Sequence, residues 1–278
     1  MSKVGTAIYW MDGGVVSSDR AFLPVTDLTV TRGYGAFEAL RTYDGRPFLL
    51  DEHLRRLRLT CRLLCLRSPM SLVRIRRVVL ETLAANCFPE SLIRLYVTGG
   101  DTDGFVPAGK SRLLVLVDAA RIFPDSHYKK GVRIKTSRLN RPIPPAKTVD
   151  YTAGIRETIL AKREGFHEVA FADRRGNLLE GTQFNVIAVR GNQLVSPDRG
   201  ILPGITVERV LKLGRKEGFS IRRSPISPAL LQRADEVLIT STNREVMPAV
   251  FVDQIRIGSG SPGPVSRLLR QRYLESTE

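Results

Sequence analysis

Apolar and polar positions change their spacing several times along the chain, and each change predicts an element. Residues 7–10 alternate as a short strand, and Gly13-Gly14 marks a turn. Residues 36–43 form a second strand, and Asp44-Gly45 turns the chain into Pro47-Phe48-Leu49-Leu50. An Asp-Gly pair between two half-apolar runs is a hairpin signal. Asp51 is then expected to cap a helix whose Leu54, Leu57, Cys61 and Leu64 fall at helical spacing. A second helix opens at Ser71 and carries Leu72, Ile75, Val78, Val79 and Leu83. Two apolar strands, 92–98 and 113–117, flank a glycine- and aspartate-rich loop at 99–109.

Residues 120–130 are polar and weakly periodic, with Pro124 among them, and read as an interdomain linker. The expected organisation is therefore a small N-terminal α/β domain at 1–119 and a larger C-terminal domain at 131–278. In the second part, 132–136 alternates like a strand and Pro142-Ile143-Pro144-Pro145 reads as a stiff extended run. A helix at 153–164 stops at Gly165, a strand follows at 168–172, and Arg175-Gly176-Asn177 is a turn. Strands 185–189 and 193–196 make a hairpin around Gly191-Asn192. An amphipathic helix at 206–217, strands at 236–240 and 249–252, and a last helix at 266–274 complete the pattern. The fold class is mixed α/β, without internal repeats.

Composition narrows the functional classes. The formal charge is +15, from 43 Lys and Arg against 28 Asp and Glu. The basic residues are scattered beside acids, as in Lys162-Arg163-Glu164 and Arg215-Lys216-Glu217. With no basic tail and no zinc-finger spacing, a nucleic-acid-binding role is disfavoured, and the field suits an anionic ligand. No apolar run approaches the roughly 20 residues of a membrane span. Met1-Ser2-Lys3-Val4 lacks the layout of a secretion signal, so a cytoplasmic protein is expected. Cys61, Cys65 and Cys87 offer neither the spacing of a metal site nor an even count for a disulfide framework. Cys61 and Cys65 share a helix face and read as small core residues.

Candidate chemistry is dispersed. Gly204-Ile205-Thr206 opens the amphipathic helix after Pro203, where backbone N–H groups and the helix dipole can seat a phosphate. The competing reading is an ordinary Thr cap. Thr240-Ser241-Thr242-Asn243 follows an apolar strand and is either more of that seat or a polar turn. Arg56, in Asp51-Glu52-His53-Leu54-Arg55-Arg56-Leu57, is either an inward arginine whose fork can grip phosphate or part of a solvated face. Glu180 can pair with a protonated ring nitrogen or lie on the surface. Lys147, after the proline run, is a Schiff-base candidate if desolvated beside cationic groups, and otherwise a surface lysine.

Taken in order, the pieces form one pattern. His-Leu-x-Arg-Leu around Arg56 is followed by Lys147-Thr148-x-x-Tyr151, then Glu180-Gly181-x-x-x-Asn185-Val186 and Leu202-Pro203-Gly204-Ile205-Thr206. Ala234-Asp235-Glu236-Val237, the Thr240-Ser241-Thr242 run, Glu245-Val246-x-Pro248 and Gly263-Pro264-Val265 complete it. From about Tyr9 to the C-terminus the chain resembles the class IV aminotransferases, the fold-type IV pyridoxal 5'-phosphate (PLP) enzymes. The resemblance implies two domains with PLP in the interdomain cleft, and usually a homodimer whose neighbouring subunit completes the site. It implies that Lys147 holds the cofactor as a Schiff base and shuttles the substrate proton. Glu180 would keep the pyridine nitrogen protonated, and Tyr151 would hydrogen-bond the phenolic oxygen. Arg56, Ile205, Thr206, Ser241 and Thr242 would bind the cofactor, chiefly its phosphate.

The same resemblance brings in Arg32, Phe37, Arg94 and Gln183 as substrate-binding positions. Thr31-Arg32-Gly33-Tyr34-Gly35 with the Thr98-Gly99-Gly100 loop resembles a less common D-amino-acid transaminase subgroup. There an arginine at the Arg32 position, reaching from the partner subunit, holds the α-carboxylate. Gln183 stands where a second arginine is normal, and a neutral donor grips a carboxylate less strongly than a charged one. Arg94 with Phe37-Glu38 and Arg41 is similar to branched-chain aminotransferases, whose tyrosine and glycine are here Leu92 and Ala39. Val207 replaces the arginine usual after Gly-Ile-Thr. The expected reaction is amino-group transfer between a D-amino acid and a 2-oxo acid, with branched-chain L-amino-acid transamination as the alternative. Aminodeoxychorismate lyase chemistry on the same fold is the third reading.

Overall fold

The computed structural model describes residues 6–278, so the reading of Met1 to Val4 lies outside the described residues. The chain divides into two compact units. The first comprises residues 6–121 and the returning segment Ala146–Asp150; the second comprises Ile122–Pro145 and Tyr151–Glu278.

In the first unit, chain order runs β1 (Ile8–Met11), β2 (Gly14–Ser17), α1 (Leu28–Arg32), β3 (Gly35–Tyr43), β4 (Arg46–Pro47), α2 (Leu50–Leu63), α3 (Leu72–Ala84), β5 (Ser91–Thr98) and β6 (Leu113–Ala119). The six strands pair antiparallel in the order β2-β1-β6-β5-β3-β4. Alternation gives the sheet two unlike faces. Ala36, Leu40, Ile93, Leu95, Val97, Val115 and Val117 pack with Leu54, Leu57, Ile75 and Val79 of α2 and α3 into one core. Each large apolar side chain among them contributes about 1.5–3 kcal/mol when removed from water. The opposite face carries half-buried Phe37, Arg94, Tyr96, Asp118 and Tyr9.

Two caps differ in kind. Ser71 caps α3 as expected, its hydroxyl accepting from Arg74 N–H. Asp51 does not cap α2. Leu49 occupies the cap in the left-handed region and the helix begins at Leu50, which leaves Asp51 in the first turn, where the helix dipole favours its charge. The same helix ends at Leu63, so Cys65 lies beyond it, exposed and at positive φ, and does not share a face with buried Cys61. Cys87 is exposed as well, so the reading as core residues holds for Cys61 alone.

The second unit runs α4 (Asp125–Lys130), β7 (Val132–Ser137), α5 (Thr152–Arg163), β8 (Glu168–Ala172), β9 (Leu178–Gly181), β10 (Asn185–Arg190), β11 (Gln193–Ser196), α6 (Ile205–Lys216), β12 (Ser220–Arg223), α7 (Pro228–Arg233), β13 (Glu236–Ser241), β14 (Glu245–Val252), β15 (Ile255–Arg256) and α8 (Pro264–Glu275). Its sheet is ordered β12-β11-β10-β13-β14-β7-β8-β9, and β9 also pairs with β10, so six strands close on themselves. Val132, Ile134, Ala170, Val186, Ala188, Val237, Ile239 and Met247 fill one core cluster of this unit. Helix α6 buries Val207, Val210 and Leu211. It carries Gly214 where a Cβ would stand 2.5 Å from Leu194 Cδ1.

The expected linker is partly helical, since α4 occupies its second half. The Pro142-Ile143-Pro144-Pro145 run bends and turns instead of extending, and Arg141 Nη2 donates to the Pro144 carbonyl across the bend. The expected division placed Lys147 in the larger domain. The segment around it packs with the first unit, because Phe37 N–H donates to Lys147 C=O (2.9 Å) and Val149 N–H to Gly35 C=O (3.1 Å) along β3.

Candidate functional site

In the first unit the lysine is fixed at both backbone groups. Its carbonyl accepts from Phe37, and its N–H donates to Thr60 Oγ1 at 3.1 Å. Thr60 is fully buried on α2, one turn beyond Arg56. The Lys147 ammonium sits 4.3 Å from the centroid of the Phe37 ring. Phe37 in turn stacks on Tyr96, with centroids 5.8 Å apart. A cation over an aromatic face is attracted by the ring quadrupole.

Of the adjacent arginines, Arg55 faces solvent and Arg56 is buried. Glu38, fully buried on β3, explains the choice. Arg56 donates to both carboxylate oxygens, from Nε at 2.7 Å and from Nη2 at 2.8 Å, and His53 Nδ1 lies 2.8 Å from Oε2. Burial alone would raise the Glu38 pKa. The Arg56 charge and the hydrogen bonds of Arg56 and His53 overcome it and hold the carboxyl far below its usual range. Burial pushes the His53 pKa down, and the nearby Arg56 and Lys147 charges act in the same direction. His53, Arg56 and Thr60 thus form one stripe of α2 that ties the lysine segment to a buried charge pair.

Arg94 lies on the open face of the same sheet. It donates through Nη2 to Asp118 Oδ2, and Tyr9 Oη donates to Asp118 Oδ1 at 2.6 Å. Arg32 is exposed at the end of α1, where its guanidinium donates to the Thr31 carbonyl at 3.0 Å.

In the second unit, Glu180 is buried at the end of β9. Arg141 donates to its Oε1 from Nε (3.0 Å) and Nη2 (2.8 Å), and Leu202 N–H donates to its Oε2 (2.9 Å). The surface reading of Glu180 is thereby excluded. Sequence reasoning misses Arg141, because an isolated arginine ahead of prolines carries no pattern. Asn185 pairs with Glu180 on one side and with Thr240 on the other, and its Nδ2 donates to Leu202 C=O at 3.0 Å. This brings Glu180, the start of α6 and the end of β13 into one neighbourhood.

Gly204, not Thr206, is the N-cap of α6, and it has no side chain to satisfy the first-turn N–H groups. A Cβ there would lie 1.8 Å from Asn185 Oδ1, so only glycine permits this approach. Ile205 and Thr206 are the first two helical residues, and their amides and the Thr206 hydroxyl are at the positive end of the dipole. Ser241 and Thr242 lie at the turn between β13 and β14, where Ser241 Oγ accepts from Arg244 N–H. Close by, Thr240 Oγ1 and Asn243 Oδ1 are buried and find no partner among the described residues. Buried polar atoms without partners are uncommon and point to a group that completes them.

Tyr151 precedes α5, and its ring lies 3.8 Å from the position of a Cβ on Gly154, which also faces Thr182. Tyr151 therefore borders the Glu180 strand. Gln183 is exposed at the tip of the turn closed by Gly181 N–H and Phe184 C=O (2.7 Å). Among the described residues no three His, Cys, Asp or Glu side chains form a metal-binding group. No described helix is long and apolar enough to cross a membrane.

Comparison with known proteins agrees with this geometry. Residues 35–251 match the family described as amino-transferase class IV. A Methanocaldococcus jannaschii protein named "Putative branched-chain-amino-acid aminotransferase" is 31% identical over 271 residues, covering 95% of this chain and 94% of that protein. The branched-chain-amino-acid aminotransferase of Escherichia coli K12 is 27% identical over 284 residues, covering 95% and 91%. Among solved structures, a T.th. branched-chain amino acid aminotransferase with pyridoxamine 5'-phosphate superposes with a TM-score of 0.92 at 26% identity, covering 99% of this chain and 95% of that one. With the matched family model spanning most of its length, the chain belongs to the class IV aminotransferase family.

Proposed function

We propose that this protein is a PLP-dependent transaminase that moves an amino group between an apolar, branched-chain amino acid and a 2-oxo acid. The observation that carries the reading is Lys147, held at both backbone groups with its ammonium against Phe37, which stacks on Tyr96. An aromatic wall beside the reactive nitrogen suits an apolar substrate side chain. The names of the similar proteins point the same way.

The residues present fit PLP. The orphaned Thr240 and Asn243 oxygens, the bare Gly204 cap and the start of α6 form a cradle for a phosphate. Ser241 and Thr242, in the same unit, add donors. Glu180, paired with the Arg141 guanidinium, would hold a proton on the pyridine nitrogen, and the Tyr151 hydroxyl would orient the ring through its phenolic oxygen. When bound, PLP supplies an electrophilic carbon and a ring that stores the electron pair released at the substrate α-carbon. Lys147 would hold the group through its side-chain nitrogen, and the same amine, once freed, would take the proton from the substrate α-carbon as a general base. Phe37 and Tyr96 exclude water from that nitrogen and position the substrate side chain.

A second copy of the chain fits the exposed apolar patch of the first unit. Phe22, Val25, Phe105 and Val106 are 75%, 78%, 84% and 66% exposed, on segments joined by the Asp27–Asp101 pairing. Exposed apolar groups of this size on tied loops favour association. Exposed Arg32 at the end of α1 favours one further reading, D-amino-acid transamination, in which Arg32 would hold the α-carboxylate of a substrate in the partner subunit.

An absorption spectrum of the purified protein separates the readings. The proposal expects a visible cofactor band that L-leucine bleaches, with amino transfer to a 2-oxo acid. Bleaching by D-alanine or D-glutamate alone would transfer the assignment to the D-amino-acid reading. No band after incubation with PLP would overturn both.

A further inference from the structure

On the open face of the first unit's sheet, Arg94 does not stand as a free cation. The strand register sets Phe37 opposite Tyr96 and Ala39 opposite Arg94 on β3 and β5, while Leu92 stands opposite Asp118 on β6. Tyr9 of β1 completes the group, because Trp10 and Met11 pair with Val115 and Leu114. Residues opposite one another in antiparallel strands point to the same side. Phe37, Tyr96, Arg94, Asp118 and Tyr9 therefore share a face, and Phe37 touches the Lys147 ammonium. Arg94 is two residues from Tyr96, roughly 7 Å along the strand.

Within that group the arginine is half spoken for. Asp118 accepts from Nη2, and the second oxygen of Asp118 accepts from Tyr9 Oη. Burial, the hydrogen bond to Asp118 and its charge push the Tyr9 pKa up to about 12, so the phenol stays a donor. Arg94 Nε is buried and finds no acceptor among the described residues. A buried charged donor without an acceptor is costly and calls for one on an incoming ligand.

We propose that Asp118, held by Tyr9, is a specificity-determining residue that caps Arg94 and makes this subsite select monocarboxylates with apolar side chains over dicarboxylates. This rests on the transaminase reading above. The ligand receives one N–H from Nε of a neutralised pair. A free guanidinium would instead grip a second carboxylate through two N–H groups, and Asp118 would no longer repel it. Asp118 acts through Arg94 and is not itself a catalytic residue.

The test measures binding to the holoenzyme by calorimetry, with 2-oxoglutarate as the dicarboxylate and 4-methyl-2-oxopentanoate as the apolar monocarboxylate. In Asp118→Asn the dicarboxylate-to-monocarboxylate affinity ratio rises about tenfold, the scale of one charge-assisted contact. Tyr9→Phe, which loosens Asp118 without removing it, raises the ratio by less. Adding Arg94→Gln to Asp118→Asn abolishes the gain. A ratio unmoved in both single variants, or a gain that persists without Arg94, overturns the proposal. If Asp118→Asn does not fold, Tyr9→Phe alone decides by the direction of its shift. Failure of the transaminase reading is seen separately, as a wild-type protein that transfers no amino group from any donor.

Discussion

Replacing Glu38 by Gln should destabilise the protein far more than a single amide-for-acid exchange ordinarily does. Glu38 is wholly buried, accepts twice from Arg56 within 2.8 Å, and has His53 on the same oxygen. The amide keeps the shape but loses the charge, and its NH2 group cannot accept from a guanidinium. Arg56, 9% exposed, loses the buried carboxylate that its Nε and Nη2 both contact. Breaking a buried ion pair from one side costs about 3–5 kcal/mol, whereas removing both charges with apolar replacements is often close to neutral. Urea unfolding of four proteins measures this: wild type, Glu38→Gln, Arg56→Met, and Glu38→Leu combined with Arg56→Met. The double variant should recover most of the loss seen in Glu38→Gln. A loss below about 1 kcal/mol for Glu38→Gln would refute the reasoning, since that is the size of an ordinary exposed pair.

Three further outcomes are expected. Gly204→Ala forces a Cβ into Asn185 Oδ1 and displaces the start of α6, so PLP affinity measured by equilibrium dialysis should fall by about tenfold or more; unchanged affinity would remove the α6 start from the phosphate seat. Arg141→Met removes both guanidinium contacts to buried Glu180, which should cut turnover by about tenfold or more and weaken the hold on PLP. His53 has a folded-state pKa below its ordinary value, so the unfolded chain binds the proton more readily, and this contribution to stability is lost as pH falls through the unfolded pKa near 6.5. Glu38, also depressed, adds a loss below its unfolded value of about 4.5. The decline in melting temperature between about pH 7.5 and 5.5, the window around the unfolded histidine value, should therefore be shallower in His53→Gln than in wild type.

Much of this fold is legible in local sequence. The Ser71 cap, the Asp44-Gly45 hairpin, and the stops at Gly165 and Gly176 are set by side chains and backbone freedom within a few residues. Features that depend on distant partners are hidden. Leu49 at the cap of α2 has no capping side chain to announce it. The bend at Pro142 to Pro145 is held by Arg141, which also reaches Glu180. Lys147 joins the first unit through pairing with Gly35 to Phe37, more than a hundred residues away.

The candidate site divides along the same line. Lys147, Arg56, Glu180 and Thr206 are marked by motif order. Their supports Thr60, Glu38 and Arg141 are marked only by distance in the folded chain. Arg94 is visible as an arginine in the sequence, but its pairing with Asp118, itself held by Tyr9, is not. That pairing separates an aromatic, charge-compensated face from a carboxylate clamp, and it accords with the apolar substrate reading carried by Lys147 and Phe37.

The central claim is that Lys147 holds the cofactor. Borohydride reduction of the PLP-loaded protein fixes the group to whichever lysine carries it, and peptide mass spectrometry then reads the position. The account predicts the phosphopyridoxyl mass on the peptide containing Lys147, with no such label in Lys147→Ala. Label on a different lysine, or none after loading with PLP, would contradict it.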